Sequence, residues 1–127
     1  MDFELTETAK EVRESARAFA ARLKPLAAAW DEDEAIPPEF LREAGRLGFF
    51  GLMVAQEYGG MGLDALSYVV AMEELARANA SYQGCLSVHN SLVCAALSRF
   101  GTPEQKSRYL PKLAAGEWIG AYSLSEP

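Results

Sequence analysis

A chain of 127 residues, half of them apolar, is long enough to bury one domain's core and too apolar for a disordered tail. Its formal net charge of −6, with no dense run of Lys and Arg, repels a polyphosphate backbone and makes nucleic acid a poor partner. The longest apolar stretch, Gly48 to Ala55, falls far short of the roughly 20 residues that span a bilayer. The start, Met1-Asp2-Phe3-Glu4, is acidic where a leader peptide is basic, so the expectation is a soluble protein, cytoplasmic in a bacterium or else of a mitochondrial matrix.

From Leu5 the apolar residues Ala9, Val12, Ala16, Phe19 and Leu23 follow in steps of four and three, which predicts an amphipathic helix. Thr8 with Glu11 offers a capping box at its start, and Thr6 is an equal candidate for the cap. Pro25 ends or bends this helix. The acidic run Asp31-Glu32-Asp33-Glu34 and the pair Pro37-Pro38 predict a solvated connection, with Pro38 opening a second helix through Phe40, Leu41, Ala44 and Leu47 that Gly48 stops. A loop follows to Tyr58-Gly59-Gly60-Met61-Gly62, where three glycines in four residues require backbone angles that other residues avoid. It lacks the Lys and Ser/Thr of a phosphate loop and the glycine spacing of a dinucleotide fold, so it reads as a tight interhelical turn.

Asp64 caps a third helix whose apolar residues Leu66, Val69, Val70, Met72, Leu75 and Ala76 cover more than one face, as in a central helix. Ala80 to Phe100 forms a fourth, with Arg99 its only charged residue, expected to be buried on most sides. Thr102-Pro103-Glu104-Gln105 is a strong start signal for a fifth, which carries Tyr109, Leu110 and Leu113 to Gly116. The uncharged, aromatic run from Trp118 to Ser125 then predicts a β-strand. A lone strand after five helices has no partner in the chain, so a sheet is expected to follow it in a larger protein.

Cys85 and Cys94 sit nine apart on one predicted helix, separated by about 13 Å of rise, and cannot bridge each other. With His89 the only histidine, a Cys/His zinc site has too few ligands. His89 beside Asn90 on a buried helix reads as a neutral, hydrogen-bonded core residue rather than an acid–base group. Glu73 and Glu74 point about 100° apart on a helix and suit packing or salt bridges rather than a carboxylate pair.

The closing segment Ile119-Gly120-Ala121-Tyr122-Ser123-Leu124-Ser125-Glu126-Pro127 resembles the signature with which acyl-CoA dehydrogenases pass from their helical domain into their β-domain. Further segments match in the same order: Leu47 to Leu52, Tyr58 to Gly62, Glu73 to Ala76, and Ser87 to Leu92 running on to Phe100–Lys106. The resemblance implies an all-α fold, an up-and-down-like orthogonal bundle of five to six helices over residues 1–117, with 118–127 the first strand of a truncated β-domain. It implies FAD as cofactor and α,β-dehydrogenation of an acyl-CoA thioester, with short or branched acyl groups favoured by Ser87 to Leu92. Tyr122, Leu124 and Ser125 are the implied cofactor-binding residues, the Ser125 hydroxyl standing where many relatives carry Thr. Cys85 and Val88 are the implied acyl-pocket residues.

The family's catalytic glutamate and the Gly-Ser-Asp continuation of the signature fall outside these residues, so this stretch alone is expected neither to turn over acyl-CoA nor to hold FAD tightly. Implied partners are an electron-transferring flavoprotein, docking near Leu5 to Leu23 or Phe49 to Met61, and further copies in a homotetramer. A flavin oxidase or monooxygenase of the same fold, and a helical interaction module without cofactor, are the alternatives.

Overall fold

A computed structural model of the chain describes residues 4–125. It is all-α, as expected, with seven α-helices and no strand among the described residues. The chain divides into two compact units, residues 1–36 with 64–84 and residues 37–63 with 85–127.

In the first unit α1 spans Glu7–Leu23 and is capped by Thr6, whose hydroxyl accepts the Ala9 N–H at 3.2 Å. Of the two candidate caps, Thr6 therefore takes the role. Its buried residues Ala9, Val12, Ala16, Phe19, Ala20 and Leu23 follow the predicted three–four spacing. They face α4 (Ala65–Ala78), which buries Val70, Ala71, Met72 and Leu75. Asp64 caps α4 by accepting the Ser67 N–H at 2.8 Å. Each large apolar side chain buried here contributes about 2 kcal/mol.

Two expectations are corrected in this unit. Pro25 ends α1 as expected, but the acidic run is not wholly a solvated connection: the chain passes through a 3-10 turn at Lys24–Leu26 and resumes as α2, Ala27–Glu32, so half of that run lies on a helix. The signal for α2 was masked because its single buried anchor, Trp30, is surrounded by alanines and acids. Trp30 packs near Tyr82, their ring centres 6.1 Å apart, and Phe19 meets Tyr82 edge-on at 5.9 Å. The second correction concerns α4, expected to be covered on more than one face: Leu66 and Val69 are exposed.

In the second unit α3 spans Pro38–Arg46 and ends at Gly48, whose φ of +82° is the left-handed conformation that favours glycine. The loop that follows folds back on itself. Met61 donates to the Gly51 carbonyl, Gly62 to Val54 and Leu63 to Leu52, each at 2.8 Å. At Gly60 any Cβ would overlap the Val54 carbonyl, so only glycine fits. After it come α5 (Ala80–Ser87, entering this unit at Cys85), a π-helical turn at Val88–Cys94, α6 (Ala95–Phe100) and α7 (Pro103–Ala114). The predicted fourth helix is thus one helical run with a π interruption, and within it Leu92 and Phe100 are exposed rather than covered.

Thr102 and Gln105 form the reciprocal capping box at the start of α7. Val54, Cys94, Leu110, Leu113 and Ala114 make this unit's buried cluster, with Tyr58, Val93, Leu97 and Tyr109 packed against it. Residues 118–125, expected as the first strand of a following β-domain, belong to no sheet among the described residues; a ladder needs a second strand to receive its hydrogen bonds. Glu126 and Pro127, which complete the resembling signature, lie outside the described residues, as do Met1 to Phe3 of the acidic start.

Candidate functional site

The π-helical turn has a local cause. In an α-helix the carbonyls of Leu86 and Ser87 would accept from the backbone four residues on, but here side chains take them. Asn90 Nδ2 donates to Leu86 O at 3.0 Å, and Ser91 Oγ donates to Ser87 O at 2.7 Å. The backbone then pairs five residues back, as in the bond from Ala95 N–H to Asn90 O. Such turns concentrate at functional positions, and this one carries two fully buried polar side chains.

Asn90 spends its amide on three backbone groups. Besides Leu86 O, its Nδ2 donates to Phe49 O at 2.8 Å, and its Oδ1 accepts the Leu52 N–H at 3.2 Å. The loop at residues 49–52 is thereby tied to the helix through a satisfied buried polar group.

His89 does the same on the other side of the turn. The Gly120 N–H donates to His89 Nδ1 at 2.9 Å, so that nitrogen carries the lone pair. The proton therefore sits on Nε2, which faces the Leu113 carbonyl at 3.1 Å, with Cys94 Sγ 3.3 Å away. The Phe50 ring stands edge-on to the imidazole, centres 4.8 Å apart at 83°, and fixes its plane. Burial lowers the His89 pKa, outweighing hydrogen bonds to the Leu113 and Phe50 backbone that raise it. This is the neutral, bonded core histidine expected, although its hold on Gly120, 31 residues away, was not foreseen. The polar run His89-Asn90-Ser91 inside an almost uncharged stretch was the sequence signal for the pair.

The start of the closing segment is held at further points. The Trp118 N–H donates to Lys112 O at 3.2 Å, and the Lys112 ammonium lies 4.4 Å above the Trp118 ring. A Cβ on Gly120 would come within 2.6 Å of Val93 Cγ1, so the backbone is seated directly on the helix. Beyond Gly120 the character changes. The backbone of residues 121–125 makes no hydrogen bond among the described residues, and Tyr122, Leu124 and Ser125 are exposed. The three candidate cofactor residues thus lie together on a free segment launched from a fixed point.

Cys85 and Val88 are half-buried at the junction of α5 and the π turn. Burial pushes up both thiols, Cys85 and Cys94, the latter to about 12, so neither is a thiolate nucleophile. A cavity of about 290 Å³ in this unit is lined by Met53, Val54, Asn90, Cys94, Ala95, Ser98 and Arg99, without Cys85 or Val88. At the glycine-rich turn every amide is already used: Gly59 donates to Gln56 O, Gly60 to Ala55 O, Met61 to Gly51 O and Gly62 to Val54 O. No N–H remains there to cradle a phosphate, in line with the turn reading.

The adjacent glutamates Glu73 and Glu74 are committed as well. In the first unit Arg17 grips the buried Glu74 with Nη2 to Oε1 at 2.7 Å and Nε to Oε2 at 3.2 Å. The Arg17 hydrogen bond holds the Glu74 carboxyl below its ordinary value against the cost of burial. Glu73 pairs with Arg77 at 2.6 Å on the surface, so the two glutamates make salt bridges as expected.

The family model described as "Acyl-CoA dehydrogenase, N-terminal domain" matches residues 6–117. The short-chain-specific acyl-CoA dehydrogenase of Clostridium acetobutylicum is 45% identical over 128 residues, covering 100% of this chain and 34% of the relative. A chain in the solved structure of the electron transferring flavoprotein of Acidaminococcus fermentans superposes with a TM-score of 0.94 at 38% identity, covering 100% of this chain and 34% of that one. Glutaryl-CoA dehydrogenase from Mycobacterium smegmatis, solved in complex with FADH2, gives a TM-score of 0.88 at 36% identity, covering 97% and 32%. The chain spans about a third of the length of these proteins. With the family matched over nearly all of its residues and the fold shared throughout, the chain belongs to the acyl-CoA dehydrogenase family, as its amino-terminal helical domain.

Proposed function

We propose that this chain is the amino-terminal part of an FAD-dependent acyl-CoA dehydrogenase that oxidises short or branched acyl-CoA thioesters and passes the electrons to an electron-transferring flavoprotein. The observation that carries the reading is the segment 121–125, with free backbone and exposed Tyr122 and Leu124, leading to Ser125. A backbone with unused donors and acceptors suits both the sheet of a following β-domain, whose first strand would be residues 118–127, and one edge of a flavin ring.

FAD, when bound, supplies the two-electron chemistry that no side chain here can perform. Tyr122 and Leu124 offer the ring an apolar wall and backbone donors and acceptors. The Ser125 hydroxyl donates or accepts at the ring edge, which suits a group whose protonation changes with redox state. Cys85 and Val88 bound the acyl side. By the family resemblance, proton abstraction at the α-carbon falls to a carboxylate outside these residues, and neither Glu74, locked to Arg17, nor Glu73, paired with Arg77, is offered for it.

Short-chain preference is supported by the Clostridium relative's specificity. Assembly as a homotetramer, and a compartment that is the bacterial cytoplasm or a mitochondrial matrix, complete the proposal; no helix among the described residues is long and apolar enough to cross a membrane. The test is to purify the full-length protein, follow flavin absorbance during anaerobic titration with butyryl-CoA and a long-chain acyl-CoA, and then offer the reduced protein an electron-transferring flavoprotein or dioxygen. Bleaching by butyryl-CoA and reoxidation by the flavoprotein are expected. Preference for the long chain would overturn the substrate class, and rapid reoxidation by dioxygen would make the protein an oxidase.

A further inference from the structure

We infer that His89 is a positioning residue for the cofactor: by accepting the Gly120 N–H on Nδ1 it sets where the flavin-side segment leaves the helical domain. The inference rests on the flavin reading proposed above. Three observations converge on it. The imidazole is fully buried and held in one plane by Phe50, so its Nδ1 is a fixed point rather than a mobile side chain. Its tautomer is dictated from both ends, with the Gly120 N–H at 2.9 Å on one nitrogen and the Leu113 carbonyl at 3.1 Å from the other. Gly120 is also pressed against Val93 with no room for a methyl group, so the backbone can approach the imidazole only because the residue is glycine.

Two residues downstream comes Tyr122, and five downstream Ser125. Nothing else among the described residues bonds the backbone between Gly120 and Ser125, so the position of that run is inherited from the His89 contact and the Trp118 contacts before it. Loss of the acceptor at Nδ1 would free the Gly120 amide and let the run shift against whatever it lines.

The test separates positioning from simple packing, because the two imidazole nitrogens do different work. In His89→Asn the side-chain oxygen branches from Cγ where Nδ1 does, and still accepts from Gly120. In His89→Gln the polar end moves out toward the Nε2 position and the Gly120 contact is lost, while His89→Ala removes both contacts. All three lose the ring packing against Phe50, so all three should unfold at lower temperature.

In the full-length protein, FAD affinity measured by fluorescence quenching should stay within about threefold of wild type for His89→Asn and weaken about tenfold or more for His89→Gln and His89→Ala. Equal loss in His89→Asn and His89→Ala would overturn the inference and leave His89 a packing residue. Should the variants fail to fold, nitrogen-15 shifts of the wild-type imidazole decide instead: the Nε2–H tautomer with a bond from Gly120 is expected, and an Nδ1–H tautomer would refute it. A wild-type protein that takes up no added FAD would sink the flavin reading itself, and the cofactor role of His89 with it, which is distinct from variants that fail to discriminate.

Discussion

In residues 4–36 and 64–84 the buried set is Phe19, Leu23, Trp30, Leu75, Tyr82 and their apolar neighbours, with the Arg17–Glu74 pair as the main charged contact. In residues 37–63 and 85–125 a comparable apolar cluster surrounds two buried polar side chains, Asn90 and His89, each bonded to backbone far away in sequence. The first region is held by area, which is tolerant of shape-preserving exchange. The second is held by directional bonds, which tolerate exchange only for a group that keeps the donor or acceptor in place, and which fix individual loop atoms. It is the second region that carries the Gly120 launch point and the glycine-rich loop, so the directional bonds occur where the proposed cofactor role requires a fixed backbone.

The sharpest way to break this contrast is to exchange one residue of each kind. Asn90→Leu keeps the size of the side chain but removes the acceptor of the buried Leu52 N–H and the amide's bonds to the Phe49 and Leu86 carbonyls, and is expected to cost about 3 kcal/mol in chemical unfolding. Leu75→Met, equally buried in the first region, should cost less than about 1.5 kcal/mol. Similar costs for the two would remove the distinction.

Gly60→Ala comes next, at about 2 kcal/mol, because the new methyl meets the Val54 carbonyl rather than a side chain that can yield. A neutral effect on thermal unfolding would show that the loop is less fixed than its hydrogen bonds indicate.

Acid sharpens the comparison further. His89 has a lowered pKa in the folded state, so below its ordinary 6.5 the unfolded chain binds a proton that the native state resists. Its contribution is complete above 6.5 and declines as the pH falls from there toward the lowered folded value. Glu74 also has a lowered folded pKa, but from an ordinary 4.5, so its contribution holds above 4.5 and is lost as the pH falls through the folded value. Denaturant midpoints measured across this range should therefore decline in two windows. His89→Asn is expected to abolish the upper decline and Glu74→Gln to blunt the lower; an upper decline that persists in His89→Asn would assign it elsewhere. The smallest effect expected is that of Thr102→Ala, about 1 kcal/mol from loss of the cap on α7, read as a small drop in thermal midpoint.

What was legible in the sequence were features with a short range. The spacing of Ala9 to Leu23, the Asp64 cap, the Thr102–Gln105 box and the stops at Gly48 and Gly116 all depend on residues within a turn or two of each other, and all are present. Helix α2 was hidden because Pro25 is compatible with a 3-10 turn that lets the helix resume. The π turn was hidden because it depends on whether Asn90 and Ser91 bond back to carbonyls, which residue type alone does not decide. Exposed Leu66, Val69, Leu92 and Phe100 teach that apolar composition reports what a face is able to bury, not what covers it. The candidate site was legible as a motif around Tyr122 to Ser125, whereas its anchor spans 31 residues between His89 and Gly120 and has no local signature.

The account stands most directly on the anaerobic spectrum of the full-length protein. Yellow flavin absorbance that bleaches on addition of butyryl-CoA is the predicted result; a protein that remains colourless after incubation with FAD, or a bound flavin that no acyl-CoA reduces, would contradict it.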